Sequence, residues 1–108
     1  MPKLIVSIDG VVIKEVPLTK ERTSLGRRPY NDIVIDNLAV SGEHAVVHLR
    51  GDHVEIEDLG STNGTYINGQ AVKHHTLHTG DIIDIGKYKI RFLNEAQHSD
   101  FEKTMIFK

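Results

Sequence analysis

Apolar residues recur along the chain in short runs, KLIVSID, VVIKEV, TSLG, IVI, HAVVHL, HVEIED, GTYI, DIIDI and YKIRFL, separated by turn-forming residues. Several runs alternate with period two. Val54 and Ile56 oppose Glu55 and Glu57, and Tyr88, Ile90 and Phe92 oppose Lys89 and Arg91. Successive side chains on a strand point to opposite faces, so each such run reads as a strand with one face buried. Asp9-Gly10 suits a type I′ hairpin turn, Gly86-Lys87 puts glycine first as a type II′ turn demands, and Gly51-Asp52 marks a third hairpin. No window of ten or more residues spaces its apolar positions by three and four, which excludes a substantial helix. The expectation is an all-β fold: a two-sheet β-sandwich of about 10 or 11 short, mostly antiparallel strands.

After Leu93 the composition shifts to NEAQHSDFEK, polar and acidic, before a last apolar cluster, TMIFK. Residues 1–94 are therefore expected to form the sandwich, and residues 95–108 a polar tail or the start of a linker. A chain of 108 residues is enough for one domain that buries roughly two-thirds of its unfolded surface without staples. It has no cysteine, which excludes disulfides, thiolate metal sites and thiol nucleophiles and fits a reducing compartment. No apolar run reaches the roughly 20 residues of a membrane span, and Asp9 and Gly10 interrupt the opening run too early for a secretory signal, so a cytoplasmic protein is expected. With 13 Lys and Arg against 15 Asp and Glu, the net charge is -2, and neither a basic stripe nor interleaved aromatics point to nucleic acid.

Polar chemistry gathers in three connecting segments: GRRPYND (26–32), AVSGEH (39–44) and GSTNGTYING (60–69). A sandwich clusters its loops at its two ends, so segments distant in sequence can meet on one surface. Arg27 offers a planar fork of donors suited to phosphate, Ser41 and Thr62 offer hydroxyls, Gly42 a backbone N–H at close approach, and Asn63 an amide that both donates and accepts. Together these groups describe an anion site beside a peptide clamp. Adjacent residues on an extended strand face opposite sides, so Arg27 and Arg28 are not expected to face one ligand together, and only one of them serves as the anion hook. Singly, each of these residues has an ordinary structural role: a solvated cation, a turn serine, an Asn-Gly turn. His44 reads as an internal hydrogen-bonding post, since no carboxylate or nucleophile stands at a motif spacing from it.

The order and spacing of these residues, Gly26-Arg27, then Ser41-x-x-His44, then STNGTYING, resemble the forkhead-associated (FHA) domain over about residues 3–94. The resemblance implies a non-catalytic β-sandwich that binds phosphothreonine peptides, in Ser/Thr kinase signalling, through loops at one end. It implies that Arg27 and Ser41 grip the phosphate, that Thr62 contacts the peptide beside it, and that Asn63 holds the peptide backbone. Gly26, His44, Gly64, Asn68 and Gly69 would shape the loops. Gly42 departs from the family's common arginine or asparagine, leaving a backbone N–H in place of a side-chain contact. Ala39 lies where the family reads the residue three after the phosphothreonine, and its lack of charge implies an apolar preference there.

Other readings are a β domain that binds proteins without regard to phosphate, and a metal enzyme built on KHHTLH. In an extended segment His74 and His78 would lie about 13 Å apart, at roughly 3.3 Å per residue, too far to share an ion, so neither a metal site nor a cofactor is expected. Thr104, within an acidic-then-apolar context, is a candidate phosphorylation site for head-to-tail recognition by a second copy of the chain.

Overall fold

The computed structural model describes residues 2–94, and among them eleven strands and no helix. In chain order these are β1 (Pro2–Ile8), β2 (Val11–Pro17), β3 (Arg22–Gly26), β4 (Ile33–Val34), β5 (Ala45–Arg50), β6 (His53–Asp58), β7 (Thr65–Ile67), β8 (Gln70–Val72), β9 (His74–Leu77), β10 (Ile82–Ile85) and β11 (Tyr88–Asn94). One sheet runs β2-β1-β11-β10-β7-β8 and the other β4-β3-β5-β6-β9. Only the short β3–β4 pairing, Leu25 opposite Ile33, is parallel among the described strands. The chain is thus the two-sheet, mostly antiparallel sandwich that the period-two pattern predicts.

The alternation decides what lies between the sheets. Leu4 and Val6 of β1, Val54 and Ile56 of β6, Ile83 and Ile85 of β10, and Ile90 and Phe92 of β11 are all buried in one cluster. Each such side chain contributes roughly 1.5–3 kcal/mol on removal from water. β2 breaks the pattern. Its apolar Val11, Val12 and Ile13 are all more than half exposed, because β2 is a sheet edge that no other described element covers. β8 and β9 are too short and too polar to register as apolar runs: Gln70 and Ala71 are exposed, and His74 and Thr76 face solvent. They form because β7 and β6 offer open edges for backbone pairing.

The three anticipated hairpins form. Asp9 and Gly10 take φ of 52° and 78°, both positive as a type I′ turn requires. The Gly51-Asp52 and Gly86-Lys87 turns close the pairs Arg50 opposite His53 and Ile85 opposite Tyr88.

Strand direction sorts the connections into two ends. Those between β3 and β4, β4 and β5, and β6 and β7 gather at one end, with the Gly86 turn against Val40, Asn37 and Ala39. The β5–β6, β7–β8 and β9–β10 turns lie at the other. β11 finishes at that other end, where the Asn94 N–H donates to Thr79 Oγ1 at 3.1 Å. The tail 95–108, Thr104 included, lies outside the described residues. No described helix is long and apolar enough to cross a membrane.

Candidate functional site

Gly26 ends β3 where the chain from the β4–β5 connection passes directly over it. A Cβ here would stand 2.3 Å from the Gly42 carbonyl oxygen and 2.7 Å from Asn31 Nδ2, so only glycine admits the crossing. The crossing is then fastened by hydrogen bonds. The Arg27 N–H donates to the Ser41 carbonyl at 3.0 Å, the Arg28 N–H to the Gly42 carbonyl at 3.2 Å, and the buried Asn31 amide to both Gly42 and Arg28 carbonyls at 2.7 and 2.9 Å.

His44, fully buried, joins the second connection to the third. Its Nδ1 accepts the Ser41 N–H at 3.1 Å, which puts the ring proton on Nε2, and Nε2 donates to the Gly64 carbonyl at 2.9 Å. The histidine is the hydrogen-bonding post that its surroundings in the sequence suggest. Two further bonds complete the seam: the Thr62 N–H donates to Ser41 Oγ at 3.0 Å, and Asn63 Nδ2 to the Ala39 carbonyl at 2.9 Å.

The third connection is folded around Asp58, at the end of β6. Its carboxylate accepts from the N–H groups of Gly60 and Ser61, each at 3.0 Å, and from the hydroxyls of Ser61 and of the buried Thr65. Burial pushes the Asp58 pKa up, but these four donors outweigh it and hold the carboxyl below its ordinary value. Gly64 closes the turn with φ of 90°, a conformation that suits glycine, and its own N–H donates to Ser61 Oγ at 3.0 Å.

Between the three connections lies an open cleft of about 330 Å³, lined by Arg27, Leu38, Ala39, Val40, Ser41, Gly42, Thr62 and Asn63. All five residues singled out for phosphopeptide contact therefore share one cleft. Their bonding leaves specific capacity in hand. Ser41 Oγ is an acceptor toward Thr62, so its own proton is available to an anion; Asn63 gives one N–H to Ala39 and keeps its carbonyl oxygen; and the Gly42 N–H has no acceptor among the described residues. Neither Arg27 nor Arg28 makes an ion pair among the described residues, so the positive charge at the cleft is not neutralised from within. The nearby Glu43 instead accepts from the Tyr30 hydroxyl, an interaction that pushes the Tyr30 pKa up.

The two arginines differ, though not by strand alternation. β3 stops at Gly26, so both sit in the following bend. Arg27 lines the cleft. Arg28 instead lays its side chain across Gly42, with Nε 2.9 Å and Cγ 3.1 Å from where a Cβ on residue 42 would be. The space that a side chain at position 42 would claim is filled by Arg28.

Gly26, His44 and Gly64 do shape the cleft. Asn68 and Gly69 shape something else: with φ of 51° and 88° they make the tight β7–β8 turn at the opposite end, because β7 carries the chain a strand's length away. Sequence reasoning missed Asn31, Asp58, Ser61 and Leu38. Asn31 and Asp58 looked like ordinary turn and strand-end residues, and nothing local marks the carbonyls and N–H groups they meet. Leu38, 90% exposed at the cleft's rim, opens the short apolar run Leu38-Ala39-Val40 after Asn37, and nothing in that run marks it as facing solvent.

Comparison with known proteins gives the same picture. The model of the FHA domain family matches residues 23–86, more than half the chain, from the β3 strand to the Gly86 turn. The oxoglutarate dehydrogenase inhibitor of Corynebacterium jeikeium is 42% identical over 82 residues, 76% of this chain and 57% of that protein. The chain spans about half the length of the curated relatives it matches. Among solved structures, the FhaA FHA domain complexed with the intracellular domain of Rv3910 superposes with a TM-score of 0.78 at 27% identity, covering 85% of this chain and 99% of that one. Mycobacterium tuberculosis EmbR, solved with a low-affinity phosphopeptide, gives 0.77 at 32% identity, covering 84% of this chain and 24% of that one. The glycine crossing, the histidine post and the cleft they frame thus lie in a sequence and a sandwich both similar to these proteins, and the chain belongs to the FHA domain family.

Proposed function

We propose that the chain is a non-catalytic recognition module that binds phosphothreonine peptides in the cleft between its three connections, as a regulatory part of Ser/Thr kinase signalling. The observation that carries this reading is the meeting of an unpaired guanidinium, a hydroxyl with its proton to give, a free backbone N–H and a clamp amide around one cleft. A phosphate dianion needs several converging donors, and charge-assisted bonds are roughly twice as strong as neutral ones. Arg27 and Ser41 grip the phosphate, the Gly42 N–H assists, Thr62 contacts the peptide next to it, and the Asn63 carbonyl oxygen accepts from the peptide backbone. The similarity to EmbR, which has been solved with a phosphopeptide, supports the ligand class, and the inhibitor from Corynebacterium jeikeium supports a regulatory role.

Leu38, Ala39 and Val40 give the cleft an uncharged apolar rim, so the residue three after the phosphothreonine is selected for apolar character. Phosphorylated Thr104 of a second copy is one ligand of this kind. β11 ends at the pole opposite the cleft, which favours recognition between chains over recognition within one.

A screen against a degenerate phosphothreonine peptide library tests the proposal. Retention of phosphorylated over unphosphorylated peptides, enriched in apolar residues at the third position after the phosphothreonine, is expected. Equal retention of both pools would leave a β domain that binds proteins without reading phosphate.

A further inference from the structure

At the pole remote from the cleft, three side chains converge that peptide recognition does not use. His75 of β9, His78 just beyond it and Asp81 before β10 each bring one ligand atom within 4.8 Å of the others. The backbone turn makes the cluster: the His78 N–H donates to Asp81 Oδ2 at 2.8 Å and the Asp81 N–H to the His78 carbonyl at 2.9 Å, folding residues 78–81 back toward the strand. His75 shares the inward side of β9 with the buried Leu77, which points its ring at the turn. The two imidazoles meet edge to face with centroids 6.4 Å apart.

One pair already has the spacing of metal ligands. Atoms held about 2.0–2.2 Å from a zinc ion at tetrahedral angles lie roughly 3.3 Å from one another. His75 Nε2 and Asp81 Oδ2 already stand 3.2 Å apart. His78 is exposed and its ring has no hydrogen bond among the described residues, so it is free to turn inward by the remaining distance. An outer support is present as well: Asn68 Nδ2 donates to Asp81 Oδ1 at 3.0 Å, fixing the carboxylate with Oδ2 toward the histidines. His74 takes no part, as its distance from His78 along an extended segment implies: β9 alternation sends it to the face opposite His75, where it meets Glu55 at 3.0 Å. The third ligand, Asp81, comes from beyond the motif.

We propose that His75, His78 and Asp81 bind one divalent ion of the zinc class, with water completing the coordination. Two imidazoles select zinc, nickel or copper over magnesium and calcium, which prefer all-oxygen sites. The ion ties the end of β9 to the start of β10 and so stabilises the pole where β11 finishes.

The test is calorimetric titration of tag-free, chelator-treated protein with zinc chloride and, separately, magnesium chloride, with thermal melts and amide NMR shifts alongside. One equivalent of zinc bound, a higher melting temperature in zinc but not magnesium, and shifts centred on residues 75–81 are expected. His78→Gln should weaken binding at least about tenfold while still melting cooperatively, whereas the double variant His53→Gln/His74→Gln should bind as the parent does. Absence of zinc binding by the folded protein, binding untouched by His78→Gln, or binding lost in the His53/His74 variant would each overturn the site.

Discussion

Ser41 carries the densest role in the cleft. Its carbonyl accepts from Arg27, its N–H is held by His44, and its hydroxyl oxygen accepts from Thr62, so one residue touches all three connections. His44 keeps it in place. Replacing His44 with alanine leaves the half-buried Ser41 N–H and Gly64 carbonyl without their partner, at up to about 1–3 kcal/mol for each unsatisfied group. The His44→Ala protein is expected to melt at least about 5 °C lower, on the scale of a small domain, and to lose peptide affinity as a consequence. An unchanged melting temperature with abolished binding would mean that the ring touches the ligand instead. Chemistry of this kind was legible from residue type and order: Arg27, Ser41, Gly42, Thr62 and Asn63 were each recognisable, and all five line the cleft. Type and order carry no direction, which is why the Arg28 side chain over Gly42 and the Asn31 bridge emerge only in the folded structure.

Elements place these residues, and one contact shows how tightly. Gly26→Ala would drive a methyl group into the Gly42 carbonyl, a backbone atom that cannot swing aside. The expected result is a loss of about 1–3 kcal/mol or more of stability, as for overpacked cores, together with weakened peptide binding as the first two connections separate. Chemical denaturation and a peptide titration of the same variant measure both. By contrast, Gly42→Asn meets only the flexible Arg28 side chain, so the fold should stay within about 1.5 kcal/mol of the parent. Strands with a strict period were readable from the chain because burial on one face and exposure on the other leave a record in residue type. β8 and β9 leave a faint record, one inward apolar residue each in Val72 and Leu77, and backbone pairing with β7 and β6, which carries no side-chain signature, does the rest.

For the molecule as a whole, buried and bridged carboxylates set the response to acid. Burial raises the Asp58 and Asp81 pKa values, but hydrogen bonds, from Ser61 and Thr65 to the first and from His78 and Asn68 to the second, bring both below normal. Glu55, bonded first to His53 and then to His74 and Arg50, is lowered to about 2. A folded pKa below the unfolded one gives stability that is complete above the unfolded value and drains as pH falls through the folded value. Melting temperature should therefore drop as pH falls from about 4 toward 2. Asp58→Asn, which turns donors against donors, should melt lower than the parent at neutral pH, with the gap narrowing below pH 4. A constant gap would mean that the charge of Asp58 is irrelevant to the fold.

The same scale holds the central claim, that three connections of one sandwich end form a single phosphate-reading cleft with Arg27 as its hook. The most direct measurement is a calorimetric titration with one phosphothreonine peptide chosen from the library, alongside its threonine and phosphoserine versions, on the parent, Arg27→Ala and Arg28→Ala proteins. Binding only of phosphorylated forms, weaker for phosphoserine, with a loss of at least about 1.5–3 kcal/mol for Arg27→Ala and a distinctly smaller one for Arg28→Ala, is the predicted result. Equal affinity for the threonine peptide, or equal losses from the two arginine variants, would contradict the account.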